Sequence, residues 1–341
     1  MAELVAGVLF VGVTAYAIFG GADFGAGFWD LVAGDARRGA RPRSVVAHSI
    51  GPVWEANHVW LVFVLVVLWT AFSEAFASIM LTLFVPLSLA AFGIVLRGSS
   101  FAFRKEVTRV SQQRSFGAAF ASSSVLVPYC FGAVAGAIAS GRVPEGGVAG
   151  DRWSSWINPT SVLGGVLAVV ACAFLAAVYL VWDAHRFAGP DMEEYFRRRA
   201  MVMAVVAGVV AITGIAVLRE DAEYVFDRLT GPALPLVVLS GVCGLGSLAL
   251  LVRRSHRIAR LLAIGAVAAI IWAWGVAQWP YLLPETLEVT EAAAPDATLG
   301  AVLVVFGLAA VICLPALALL YVLDQRSMLD PEGTEPGTEP G

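Results

Sequence analysis

Asp23, Glu55 and His58 are the side chains best able to do chemistry in this sequence, because each stands inside an apolar segment. A charge at the centre of a membrane helix costs roughly 2.5–3.5 kcal/mol on insertion scales. An acid that persists there therefore needs a partner or a task. Asp23 lies in GGADFGAG, surrounded by Gly20, Gly21, Gly25 and Gly27. Glycines let a neighbouring helix come close, so Asp23 is expected to face protein. If its helix ends near Leu31, it sits about 12 Å from the nearer membrane edge. Two readings stay open for it. One is a packing carboxylate capped by a hydroxyl or backbone group; the other is a proton-relay or ion-pair carboxylate.

Glu55 and His58 belong to IGPVWEANHVWLV. A helix starting near Ser44 puts Glu55 about 16 Å into the membrane, at a depth similar to that of Asp23 on the antiparallel neighbour. Glu55 and His58 are three residues apart and share a helix face. They form either a proton path with Asp23 or a neutral buried network in which Asn57 and His58 satisfy Glu55. Pro52 removes a backbone donor upstream and loosens this part of the helix. Arg97 closes the third predicted span, ahead of GSSFAFRKE. It either pairs with one of the acids or snorkels to the headgroups, and snorkelling is the usual behaviour of a lone arginine at a helix end.

Other chemistries find little support. Cys130, Cys172, Cys243 and Cys313 lie singly in four apolar segments with no CxxC, so neither a zinc site nor a redox pair is indicated. They read as small hydrophobes. His48, His185 and His256 fall near helix ends and only His58 lies deeper, which gives no level pair of imidazoles for a haem. Asp183 and His185, in VWDAHR, are expected to be solvated. No metal ligand set and no catalytic group is assigned to this chain. Phosphate-binding glycine loops and basic tracts for nucleic acid are missing from the sequence.

The elements that must hold these residues are membrane helices. Of 341 residues, 59% are hydrophobic and 14% charged, against about 45–50% and about 25% in a soluble domain. Apolar runs cover 58–72, 75–96, 161–182, 201–218, 232–252, 261–279 and 299–322. Most approach or exceed the ~18–20 residues that cross a bilayer. Segments 4–33 and 116–140 are apolar but studded with glycine or serine. The first lacks the basic start and cleavage site of a signal peptide. The expectation is an all-α polytopic protein of about nine spans, since lipid requires every backbone group to be paired within its own segment. Residues 1–325 form a single transmembrane domain, and 326–341, ending in the repeated GTEP, form a disordered cytoplasmic tail.

Alternating the loops of nine spans places 18 of the 22 basic residues on one side. Cytoplasmic loops collect Lys and Arg, so the N-terminus is expected outside and the C-terminus inside. Trp29 and Trp182 then fall at inner ends, and Trp69, Trp153, Trp156 and Trp279 at outer ends, where indoles favour the headgroup layer.

Four stretches in order, GGADFGAGFWDL, HSIGPVWEANHVWLV, LRGSSFAFRKE and PDAT, resemble subunit II of cytochrome bd-type quinol oxidases. GPVWEANxVW is the most specific. The resemblance implies a complex that oxidises membrane quinol and reduces dioxygen to water in the bacterial cytoplasmic membrane. It places haem b and haem d in a partner, subunit I, and leaves this chain without haem. It further implies a pseudo-symmetric pairing with that subunit, lipid around it, small single-helix subunits in some complexes, and a quinone near Trp54 in some members. Carboxylates on helices one and two, here Asp23 and Glu55, serve a proton route in some relatives. Many relatives carry aspartate where Glu55 stands, and an acid where this chain has Gly20. The competing readings are a secondary transporter, which would show broken helices in an internal repeat, and a purely structural partner within the oxidase.

Overall fold

The computed structural model describes residues 1–35, 37–50, 57–106 and 110–325. Trp54, Glu55 and the tail 326–341 lie outside them. The chain runs through α1 (Ala2–Leu31), α2 (Ala40–Ile50), α3 (Val59–Ala71), α4 (Ser73–Thr82), α5 (Phe84–Glu106) and α6 (Val110–Ala139). It continues with α7 (Pro159–Asp183), a π-turn (Ala184–Ala188), α8 (Pro190–Asp221), α9 (Glu223–Thr230), α10 (Leu234–Val252) and α11 (His256–Gln278). A small hairpin of β1 (Tyr281–Leu283) and β2 (Leu287–Glu288) precedes α12 (Asp296–Gln325).

Among the described residues, 7 helices are long and apolar enough to cross a membrane: α1, most of α6, α7 with its π-turn, α8, α10, α11 and most of α12. The count rises to 8 if α3 and α4 are taken as one broken span. Phe84–Ser100 of α5 is a shorter apolar helix. The all-α membrane architecture is as expected, whereas nine spans are not reached by length and composition.

The apolar run 75–96 is not one helix. It divides at Leu83, because Pro86 has no N–H to give Thr82 and closes α4 there. A second break at Phe72 turns α4 by 119° from α3. The Ala71 carbonyl freed by that break accepts the Ala294 N–H at 2.8 Å. The loop after α6 lies along α4. Glu74, Ser78 and Thr82 follow one another at four-residue steps on one helix face. Each accepts a loop N–H, from Gly146 at 2.9 Å, Gly147 at 3.0 Å and Gly150 at 2.9 Å. A bent span is thus tied by side chains to backbone that would otherwise lack partners.

α1, α7, α8 and α11 surround the largest apolar core, which includes Leu175, Leu180 and Phe196. α1 approaches α7 so closely at Gly25 that a Cβ there would overlap the Cys172 carbonyl. At the far end of α7, Asn158 caps the helix by accepting the Ser161 N–H at 2.9 Å. Asp221, ending α8, accepts from Thr160 N at 3.1 Å and Thr160 Oγ1 at 2.7 Å, and from both terminal nitrogens of Arg142, the nearer at 2.6 Å. In contrast, α8, α10 and α12 bury almost none of their apolar windows. Such surfaces belong against lipid or another subunit.

Candidate functional site

The polar centre of the bundle is built where α1, α5 and α6 meet. Arg97 of α5 donates from Nη1 to Asp23 Oδ2 at 2.7 Å, and from Nη2 to Oδ1 at 2.8 Å. Nη2 also reaches the Asp23 backbone carbonyl at 3.0 Å, and Nε reaches Ser124 Oγ at 2.9 Å. Ser124 passes its own proton to the Phe120 carbonyl at 2.7 Å. The guanidinium carbon lies over two aromatic rings, Phe24 at 5.0 Å and Phe120 at 4.7 Å from the ring centroids. Asp23 is 5% exposed and Arg97 2%.

Local sequence explains the geometry. Gly27 lies one turn beyond Asp23 on α1, and a Cβ there would overlap Ser124 Oγ. Its missing side chain lets α6 bring Ser124 under the guanidinium. A buried ion pair is tolerated only when geometry and further hydrogen bonds offset desolvation. Here the bidentate fork, the serine and two aromatic faces supply those contacts.

Of the two readings open for Arg97, pairing with an acid or snorkelling to the headgroups, the structure shows the pairing, with Asp23. α5 continues to Glu106, so Arg97 has helix on both sides and turns inward. The approach of Asp23 to Glu55 concerns a residue outside the described ones, as does the quinone contact at Trp54. His58 occupies the N-cap position of α3, without a capping hydrogen bond from its side chain. Its ring stands 6.0 Å from that of Phe24 and 6.2 Å from that of Tyr16. Asp23, Arg97 and His58 therefore converge on one neighbourhood, through Phe24 and Tyr16.

Tyr16 is a site residue that the sequence did not reveal. Its hydroxyl is buried without a hydrogen-bond partner among the described residues. Its ring meets Phe24, His58 and Phe131 edge-on. Buried hydroxyls are normally paired, which sets Tyr16 apart from Ser124, whose hydroxyl is bonded. Only the position of Tyr16 two turns before Asp23 hinted at it, and on α1 many residues share that face.

A second polar cluster also escaped the sequence reading. His185 was expected to be solvated and His256 was placed only near a helix end, yet their ring centroids are 5.5 Å apart. Glu193 bridges them, with Oε2 at 2.9 Å from His185 Nδ1 and Oε1 at 2.9 Å from His256 Nε2. The three residues come from separate elements, and their spacing follows no motif.

Comparison with known proteins fits this arrangement of helices. The family model of the cytochrome bd terminal oxidase subunit II matches residues 1–324. Cytochrome bd ubiquinol oxidase subunit 2 of Bacillus subtilis (strain 168) is 27% identical over 238 residues, 69% of this chain and 67% of the relative. Cytochrome bd-I ubiquinol oxidase subunit 2 of Escherichia coli (strain K12) is 24% identical over 321 residues, 83% of this chain and 81% of the relative. A chain in the structure of the bd oxidase from Geobacillus thermodenitrificans superposes with a TM-score of 0.81 at 25% identity, covering 94% of this chain and 98% of that one. With the match running from the first residue through nearly all of α12, the chain belongs to the cytochrome bd terminal oxidase subunit II family, and is a multi-pass membrane subunit of a quinol oxidase complex.

Proposed function

We propose that this chain is the haem-free subunit of an oxidase that takes electrons from membrane quinol and reduces dioxygen to water. Haem b and haem d belong to the partner subunit I. The nearly unburied apolar faces of α8, α10 and α12 are covered by lipid or by that partner. The membrane is the bacterial cytoplasmic membrane, with the arginine-rich loops inside.

Within the complex, the reading is that this chain lends a proton route. The observation that carries it is the buried Asp23–Arg97 pair with the orphan Tyr16 hydroxyl and the His58 ring alongside. Asp23, gripped at both oxygens, acts as a fixed charge. Glu55 and His58 are the groups that take up and release the proton. Glu55→Gln keeps shape and hydrogen bonding but removes titration. The variant complex is expected to hold its full haem and to lose most of its quinol-oxidase turnover. Full haem with full turnover leaves this chain as a structural partner only, and lost haem assigns Glu55 to assembly.

A further inference from the structure

His185, Glu193 and His256 form a compact donor set, apart from the Asp23 site, at the end of the bundle where α7 stops and α8 and α11 begin. His185 comes from the π-turn, Glu193 from the first turn of α8 and His256 from the first residue of α11. The ligating atoms, one from each side chain, all lie within 4.8 Å of one another. Glu193 and His256 are enclosed, with side chains 11% and 6% exposed, while His185 stands at the rim with 53%.

Arg254 stands beside the cluster, its Nη1 3.8 Å from Glu193 Oε1. His256 Nδ1 is buried without a hydrogen-bond partner among the described residues. An ion held at Nε2 would leave the ring's N–H on Nδ1 without a partner, which costs affinity. Two imidazoles aimed at one carboxylate are nonetheless the two-histidine, one-glutamate set that binds zinc with an open fourth position.

We propose that His185 Nδ1, Glu193 and His256 Nε2 bind a divalent transition-metal ion of the zinc type. Tetrahedral bonds of about 2.0–2.2 Å put ligand atoms about 3.4 Å apart, so the atoms, within 4.8 Å of one another, must draw in by up to about 1.4 Å. The half-exposed His185 supplies that movement, and its solvent side provides the fourth position. Trp182, stacked on His185 at 6.0 Å with Arg257 4.8 Å above the indole, sets the ring plane. Arg254 holds Glu194 at 3.2 Å and stays there when the ion replaces it beside Glu193. Metal-bound histidines usually donate their second N–H to a partner, and losing that partner costs about 10–100-fold in affinity. His256 lacks one, so binding about 10–100-fold weaker than at a fully supported site is expected.

The test uses the purified oxidase complex, stripped with a chelator and titrated calorimetrically with Zn2+. One saturable site per copy of this chain is expected. His185→Ala, a rim variant that should assemble with normal haem content, is expected to weaken it at least about tenfold, as is Glu193→Gln. Arg254→Ala removes the competing cation and should tighten binding a few-fold, which a merely structural cluster would not do. X-ray absorption of the zinc-loaded complex should report nitrogen and oxygen ligands without sulfur. Absence of a saturable site in the unmodified complex, or unchanged affinity in His185→Ala, overturns the proposal.

Discussion

Arg97 holds Asp23 by both carboxylate oxygens, at 2.7 and 2.8 Å, and by the backbone carbonyl of the same residue at 3.0 Å. Removing one partner of such a pair leaves a buried charge without compensation, which costs about 3–5 kcal/mol, whereas replacing both by apolar groups is often neutral. Asp23→Asn or Arg97→Leu alone should sharply reduce the yield of haem-loaded complex. Asp23→Leu combined with Arg97→Met should recover much of the yield and the thermal stability. If the double variant is no better than the singles, the pair does more than cancel its own charges.

Tyr16→Phe deletes a hydroxyl that bonds to nothing among the described residues. Haem content should stay normal, and the unfolding temperature should change little, since no hydrogen bond within the chain is lost. Turnover should fall severalfold if that hydroxyl lies on the proton route. Equal turnover in Tyr16→Phe and the parent would assign Tyr16 to packing.

Asp221 ties the ends of α7 and α8 together through Thr160 and Arg142, with side chains 15% and 32% exposed for the aspartate and the arginine. Hydrogen bonds to a charged group contribute about 1.5–3 kcal/mol. Asp221→Ala should lower stability by about 2 kcal/mol, read as earlier unfolding in denaturant. Turnover at low temperature should be unaffected, because none of Asp221, Thr160 and Arg142 is among the residues of the proposed proton route.

Placement of the arginines predicts the orientation. A reporter fused after Gly341 should be active in its cytoplasmic form, and one fused before Met1 in its external form. Cytoplasmic activity at both ends would mean an even number of crossings, with the broken α3–α4 pair entering and leaving on the same side.

The sequence made Asp23 legible as a protein-facing acid because four glycines around it open α1 to its neighbours. Gly25 and Gly27 do this at Cys172 and Ser124. Arg97 was harder. GSSFAFRKE looks like a polar exit from the membrane, yet it continues α5 for nine residues, about 14 Å, and so keeps the guanidinium inside. The break at Leu83 was hidden because apolar composition is blind to the backbone donor that Pro86 removes. His185, Glu193 and His256 could not be joined from spacing, since their meeting depends on how three helix ends converge. The orphan hydroxyl of Tyr16 likewise becomes visible only once α1, α3 and α6 are in place.

The Asp23–Arg97 contact spans 74 positions of chain, and this separation bears on how the protein is made. At about 5–20 residues per second, Asp23 leaves the ribosome roughly 4–15 s before the guanidinium that will hold it. During that interval α1 carries an acid that has no counter-ion and is costly to release into hydrocarbon. The helix therefore has reason to linger at the insertion site until α5 is synthesised. Entry of α1 and α5 as a couple is the order in which neither charge need meet hydrocarbon alone.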